Sequence, residues 1–506
     1  MRLWGRLHDG FCMTFIEACV IGLDLGTSAV KAVLLSSSGR LLAEAMIPLE
    51  VSRPQPLWSE QNPTDWWAAT DAVMRRLRDA ADPAEWQRVR ALAVAGQMHG
   101  AVLLNAAGDV LRPAILWNDG RSQAQCAELE AREPASRRIT ANRAMAGFTA
   151  PKLMWVAQHE PPIFAQVAKV LLPKDWLVRQ LTGVMSSDCS DAAGTLWLDV
   201  AERAWSPAML SASGMHLAQI PELHEGPDVV GNVSEALCRT WGLPPDVSLA
   251  AGAGDNAAGA VGVGVVRPGE AFISLGTSGV IFVATDGPRA NPLRGVHTFC
   301  HALPDTWHQM AVLLSASSAL SWWCTVTGAA PADVLASLGE AEVHRDVSIN
   351  SPLFLPYLSG ERTPHADPGC TGSFHGLTHA HSRDHLSYAV IEGVAFAFAD
   401  GMAALAEAGS KPSSLLAIGG GARSDLWLQL LADVLGVPIH RPAGAEVGPA
   451  LGAARLALMS LGMARDDVVT APGIERTFEP NPARASLLAL RLARFRAAYA
   501  PLRALS

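Results

Sequence analysis

The 506-residue sequence predicts an α/β protein of two lobes, on three observations. One turn occurs twice: Ile21-Gly22-Leu23-Asp24-Leu25-Gly26-Thr27-Ser28-Ala29-Val30 near the start is matched by Ile273-Ser274-Leu275-Gly276-Thr277-Ser278-Gly279-Val280 at mid-chain. The length exceeds what one hydrophobic core usually supports. Polar clusters also stand just beyond the ends of short apolar runs, where open α/β sheets place their ligands.

In each copy of the turn an apolar run ends at Gly-Thr-Ser and resumes at once. That pattern predicts a β-hairpin whose glycine permits a positive φ. Backbone N–H groups and two hydroxyls would converge there, a concavity suited to phosphate oxygens. Two copies imply two lobes facing one nucleotide. The copies differ where Asp24 stands two residues before Gly26, against Ser274 before Gly276. A carboxylate beside phosphates suits Mg²⁺, held partly through water because that ion keeps an octahedral shell. The plainer alternative for Asp24 is an Asx residue that stabilises its own turn.

The elements follow in order. Residues 20–49 read as an antiparallel meander of three strands. Asn62 caps and Pro63 opens a helix to about residue 81. Residues 89–95 form a buried strand that ends in Gly96-Gln97-Met98-His99-Gly100, and residues 114–117 another that ends in Asn118-Asp119-Gly120-Arg121. A strand over 247–251 runs into Gly252-Ala253-Gly254-Asp255-Asn256. The lobes are divided just after it, as 20–263 and 264–506, with residues 1–19 an amino-terminal extension in which Met13 is an alternative start. The second lobe reads as the Gly276 hairpin, a strand over 307–312, an insert containing Pro356 to Pro364, a helix over 386–407 and a strand over 415–418. Gly419-Gly420-Gly421-Ala422 then opens a helix over 425–435, and a last helix covers 448–459.

Composition excludes several classes. Hydrophobic residues make up 49% and charged residues 17%, which describes a compact chain rather than a disordered one. The net charge of −9, and the lack of a basic run interleaved with aromatics, argue against a nucleic-acid partner. Eight cysteines without Cys-x-x-Cys spacing fit a reducing, cytoplasmic setting. The first residues lack the apolar core of a secretory leader, and no uninterrupted apolar segment is long enough to span a bilayer. His297, His301, His375, His379, His381 and His385 lack zinc spacing and read as structural or surface residues. Trp66, Trp67, Trp322 and Trp323 read as core.

Asp255 is the foremost candidate for chemistry. It follows an apolar strand in a Gly/Ala run that lets a small polar substrate approach the backbone. A carboxylate there can take the proton of an alcohol as the oxygen attacks a phosphoryl group, with Asn256 orienting the same substrate. The alternative is that Asp255 caps the helix that follows. Met98 and His99, with Gln97, offer a grip on a polyhydroxyl chain, or simply a satisfied histidine at a strand end. Gly420, Gly421 and Ala422 leave room for adenine or ribose, or make only a tight turn.

The run Leu23-Asp24-Leu25-Gly26-Thr27-Ser28, Gly96-Gln97-Met98-His99-Gly100, Trp117-Asn118-Asp119-Gly120-Arg121, Gly254-Asp255-Asn256, Ser274-Leu275-Gly276-Thr277-Ser278 and Gly419-Gly420-Gly421-Ala422-Arg423 resembles, in order, the FGGY family of carbohydrate kinases. The resemblance covers residues 20 to about 494. It implies two ribonuclease-H-like, actin-like ATPase domains with ATP and sugar in the cleft between them. It implies ATP and Mg²⁺ as cofactors and D-xylulose as the acceptor, phosphorylated at O5. It leaves room for a homodimer and gives no nucleic-acid or membrane partner. Residue by residue, it implies Asp255 as proton acceptor and Asp24 as the metal-associated carboxylate. Met98, His99, Asp255 and Asn256 become the sugar contacts, and Gly26, Thr27, Gly276, Thr277, Gly420, Gly421 and Ala422 the nucleotide contacts. A kinase for another ketose or polyol, a sugar sensor without turnover and an actin-like nucleotide switch are the rival expectations.

Overall fold

The structure is a computed structural model that describes residues 17–444 and 448–505. Most of the amino-terminal extension, with Met13 and Cys12, lies outside the described residues. The first sheet has six strands: β1 (Cys19–Leu25), β2 (Ala29–Ser36), β3 (Leu41–Pro48), β4 (Val89–Gly96), β5 (Val229–Asn232) and β6 (Ser248–Gly254). Their order is β5-β6-β4-β1-β2-β3, with β1, β4 and β6 mutually parallel and β2 and β3 antiparallel beside them.

The second sheet has seven: β7 (Ala271–Leu275), β8 (Gly279–Thr285), β9 (His297–Cys300), β10 (Trp307–Leu313), β11 (Leu415–Ile418), β12 (Ile439–Pro442) and β13 (Ile474–Phe478). Its order is β9-β10-β8-β7-β11-β12-β13. The five central strands repeat the arrangement of the first sheet: a hairpin and a third antiparallel strand on one side, two parallel strands on the other. The duplicated turn therefore sits at the same place in both sheets, between β1 and β2 and between β7 and β8.

Helices cover the sheets. In the first lobe these include α1 (Pro63–Ala80), capped by Asn62 as the sequence predicts, α2 (Thr149–His159), α3 (Pro173–Thr182) and α4 (Asp255–Val263). In the second they include α5 (Ser317–Thr327), α6 (Arg383–Glu407), α7 (Asp425–Leu435), α8 (Gly448–Ser460) and α9 (Pro482–Arg503). Among the described residues α6 alone has the length and hydropathy of a membrane span, and 83% of that stretch is buried inside the protein. It is the core helix of the second lobe, packed with α7 and the second sheet.

Helix α8 lies between β12 and β13 of the second sheet in the chain yet packs on the first sheet, against β1, β4 and α4. Close approach requires small residues. A Cβ on Gly22 would fall 2.0 Å from the Ala450 carbonyl oxygen, and one on Gly452 would fall 1.8 Å from that of Ala258. Burying an alanine-rich surface this tightly locks together the strand that carries Asp24 and the helix that begins at Asp255.

Three local expectations change. Neither Gly26 nor Gly276 has a positive φ. Each instead leaves room at a turn, and Gly26 closes the first by donating its N–H to Ala29 at 3.0 Å. Trp66 and Trp323 are buried, but Trp67 is only partly so and Trp322 is 37% exposed on the outer face of α5. The strand expected over 114–117 shortens to Ala114–Ile115, which leaves Trp117 outside the sheet. The seven described cysteines are free and buried.

Candidate active site

Strand β6 delivers Asp255, and its path is irregular for a reason. Its pairing with β4 slips between Ala250 and Ala253, a bulge of the kind that re-aims a side chain beside a site. Gly252 sits there at φ +79, where a Cβ would fall 1.9 Å from the Val94 carbonyl oxygen. Two buried side chains take up backbone groups on this strand. Lys174 Nζ donates to the Ala251 carbonyl at 3.1 Å, and the Gly254 N–H donates to Ser190 Oγ at 3.1 Å. Lys174 is wholly buried and is held by Asp175 at 2.8 Å and Asp188 at 3.0 Å, while Ser190 donates in turn to Asp188.

Asp255 is the first residue of α4, with Gly254 at the cap, so it is not the cap that the alternative required. Its Oδ1 accepts from the Asn256 backbone N–H at 2.7 Å and from Asn256 Nδ2 at 3.0 Å. Among the described residues Oδ2 has no protein partner. Burial raises its pKa to about 6 against those two hydrogen bonds, which suits a group that must take a proton near neutral pH.

Asp255 and Asn256 line a cavity of about 230 Å³ with Met98, His99 and Trp117 from the first lobe and Ser278, Val280, His297, Phe299 and Arg362 from the second. His99 reaches it through a left-handed backbone, φ +69, and its ring abuts Gly194, where any Cβ would collide. Its Nδ1 lies 2.6 Å from the Gly194 carbonyl, so Nδ1 carries the proton and Nε2 is left as an acceptor. Burial, then the Lys152 ammonium, pushes its pKa down to about 3, so the ring is neutral and can accept from a hydroxyl. Lys152 Nζ and Thr149 Oγ1 both donate to the His99 carbonyl, which fixes that backbone.

Asp24 is the penultimate residue of β1, opposite Lys31 on β2, and is only 7% exposed. Its Oδ1 is buried and, among the described residues, has no hydrogen-bond partner. Burial first, and then the charge of Asp255, raise its pKa to about 7. An orphaned, desolvated carboxylate oxygen is a group that a hard cation would satisfy, so Asp24 fits Mg²⁺. Among the described residues no three His, Cys, Asp or Glu side chains converge on one point, and an ion held by one carboxylate, phosphate oxygens and water needs no such cage.

The first hairpin is braced by side chains. Gln61 Nε2 donates to the Thr27 and Glu50 carbonyls, so its Oε1 accepts from Trp66 Nε1 and Gln97 Nε2. Gln97 Oε1 then accepts from Thr27 Oγ1 at 3.0 Å, and Thr27 Oγ1 accepts from Trp117 Nε1 at 2.9 Å. The Thr27 hydroxyl is therefore spent on protein partners. Of the two hydroxyls expected to face phosphates in the first turn, this one is not free to do so.

The second hairpin is braced by backbone. The N–H groups of Ala316 and Ser317 at the start of α5 donate to the Thr277 and Gly276 carbonyls at 3.0 and 2.9 Å. Gly419 to Ala422 lie beside it: a Cβ on Gly421 would fall 2.8 Å from that of Leu275. Gly420 and Gly421 border a cavity of about 690 Å³ walled by Leu320, Pro331, Leu335 and Trp427. On the other side Gly420 and Ala422 border a polar cavity of about 530 Å³ with Lys31 and Arg441.

The structure thus brings Met98, His99, Asp255 and Asn256 together, and sets Gly276 against Gly419 and Leu275 against Gly421. Sequence reading missed Trp117, Arg362 and His297 as cavity residues. His297 in particular is neither surface nor merely structural. His301 is buried and bonded to the Val265 carbonyl, and His375 and His379 are exposed, in keeping with expectation.

Residues 19–262 match the N-terminal domain of the FGGY family of carbohydrate kinases, and residues 271–461 match its C-terminal domain. The chain is 50% identical over 481 residues to a xylulose kinase of Escherichia coli strain K12, covering 95% of this chain and 98% of that one. It is 51% identical over 437 residues to a xylulose kinase of Klebsiella pneumoniae, covering 86% and 89%. A crystal structure described as a xyloylose kinase from Brucella ovis superposes with a TM-score of 0.93 at 48% identity, covering 96% of this chain and 100% of that one. On both domain matches and on these relatives, the chain belongs to the FGGY family of carbohydrate kinases.

Proposed function

We propose that the protein is an ATP-dependent kinase that phosphorylates D-xylulose at O5, giving D-xylulose 5-phosphate and ADP, with Asp255 as proton acceptor. The observation that carries it is the open Oδ2 of Asp255 in a small polar cavity with the His99 acceptor and the Asn256 amide, beside Ser278 of the second hairpin. The relatives named above bear the name of that activity. The matching strand order of the two sheets supports a pair of ribonuclease-H-like, actin-like lobes, divided as 20–263 and 264–506, with nucleotide and sugar between them.

Met98, His99, Asp255 and Asn256 would hold the sugar. Asp255 Oδ2 accepts the proton of the O5 hydroxyl while that oxygen bonds to the γ-phosphorus and the bond to the leaving ADP oxygen breaks. Such transition states are loose, so most of the acceleration comes from positioning, and the Lys174 and Ser190 contacts to β6 supply rigidity for it. The apolar wall of Leu320, Pro331 and Trp427 beside Gly420 and Gly421 suits adenine, Ala422 would contact the nucleotide from the polar cavity, and the Gly276-Thr277 turn suits phosphate. The Gly26-Thr27 turn would add its backbone N–H groups. Asp24 would hold Mg²⁺, which when bound neutralises phosphate charge. A cytoplasmic location fits free cysteines throughout the described residues.

The test is ADP release with D-xylulose, D-ribulose, L-ribulose, L-xylulose, glycerol and no sugar, with Asp255→Ala alongside. Turnover on D-xylulose that falls at least ~10²-fold in the variant is expected. Preference for another ketose or polyol would move the substrate, and ATP hydrolysis indifferent to every sugar would favour a nucleotide switch.

A further inference from the structure

One wall of the Asp255 cavity is built by the second lobe. Arg362 reaches it from the segment Pro356 to Pro364, next to His297 on β9. Among the described residues its guanidinium has one protein partner: Nη1 donates to His297 Nε2 at 3.2 Å. That bond has a defined sense. Asn142 Nδ2 donates to the carbonyls of Thr140 and Thr298, so Asn142 Oδ1 must be an acceptor. Oδ1 takes the Thr298 N–H and, at 3.0 Å, the Nδ1 proton of His297. Nε2 of His297 is then a lone pair aimed at Arg362. Burial and the neighbouring guanidinium keep His297 uncharged.

A guanidinium presents five N–H donors and no acceptor; here one of them meets a described protein acceptor, and the residue lines this cavity and a second one of about 470 Å³. What satisfies such a group is an oxygen lone pair, and a cavity of about 230 Å³ has room for a small polyhydroxyl molecule. We propose that Arg362 is a sugar-binding residue, delivered to the acceptor cavity by the second lobe and aimed there by the Asn142–His297 pair. The assignment rests on the kinase reading. It means that both lobes read the acceptor: Met98, His99 and Asn256 from one side, Arg362 from the other. His297 and Asn142 act through Arg362 and are positioning residues.

The test pairs calorimetric binding of D-xylulose, without nucleotide, with steady-state kinetics. Arg362→Met is expected to raise both the Kd and the KM for D-xylulose by at least ~10-fold, as for loss of a charged hydrogen bond, and to leave the KM for ATP unchanged. Arg362→Lys, which keeps charge and loses the fork, should fall between. His297→Leu should share the sugar defect, and His297→Gln, which keeps an acceptor, should recover part of it. Unchanged Kd and KM for D-xylulose in Arg362→Met, or in Arg362→Lys should the former not fold, would overturn the assignment. If instead the wild-type protein neither binds nor phosphorylates D-xylulose, the kinase reading itself falls, and this assignment with it.

Discussion

The two Gly-Thr-Ser hairpins occupy equivalent places in two sheets of like topology, and they are built to opposite ends. The first is closed in by side chains. Gln61, Gln97 and Trp117 consume the Thr27 hydroxyl and carbonyl, and Asp24 behind it is buried with one oxygen unpaired. The second is held mainly by backbone groups at the start of α5, with Ser317 Oγ on the Leu275 carbonyl, and among the described residues the exposed Thr277 has no protein partner for its hydroxyl. A rigid cradle around a desolvated carboxylate suits a charge that must be met at a fixed point. An open turn with free donors suits a ligand that comes and goes.

The largest effect should come from erasing the difference. Asp24→Ser gives the first hairpin the chemistry of the second, and turnover should fall ~10²–10³-fold, the range seen when a preorganised electrostatic group is lost. ADP release at saturating D-xylulose and Mg²⁺ measures it. A loss smaller than about twofold would mean that the two hairpins are interchangeable and that the asymmetry has no catalytic use.

The same carboxylate should cost stability. In the folded chain Asp24 has a pKa near 7 against an ordinary 3.8, so the folded state binds its proton more tightly than the unfolded state does. Stability is therefore greatest below the ordinary value and declines as pH rises through 7. Asp24→Asn removes the charge, and its stabilising effect should be absent near pH 4, grow as pH rises, and level off above 7 at on the order of 4 kcal/mol. Urea denaturation at pH 5 and pH 8 distinguishes this from a variant that is equally stable, or destabilised, at both.

Much of this was legible because it is local. Hairpins, the Asn62 cap and the strand that ends at Asp255 are written in a few consecutive residues, so turn chemistry and apolar runs reveal them. Met98, His99, Asp255 and Asn256 likewise sit at strand ends, where a ligand is expected. What stayed hidden depends on residues far apart. Arg362 and His297 enter the cavity from the second lobe, and no spacing links them to Met98. Thr27 reads as a phosphate donor until Gln97 and Trp117, at separations of 70 and 90 residues, claim its hydroxyl. The seating of α8 on the first sheet shows only in the absence of side chains at Gly22 and Gly452, a signal that composition dilutes.

The smallest effects should split the two threonines. Thr27→Val deprives buried Gln97 of its donor and leaves the Trp117 indole unpaired, so it should cost about 1–3 kcal/mol of stability and leave the KM for ATP within about twofold. Thr277→Val removes a hydroxyl that no described protein group uses. Its stability should stay within about 0.5 kcal/mol of wild type. Its KM for ATP should rise ~5-fold, as for one hydrogen bond to a ligand. Denaturation midpoints and ATP kinetics on the two variants form a matched pair, since both changes are Thr→Val at equivalent turn positions. If Thr277→Val were the unstable one, or Thr27→Val the one with weakened ATP use, the roles of brace and open cradle would have to be exchanged.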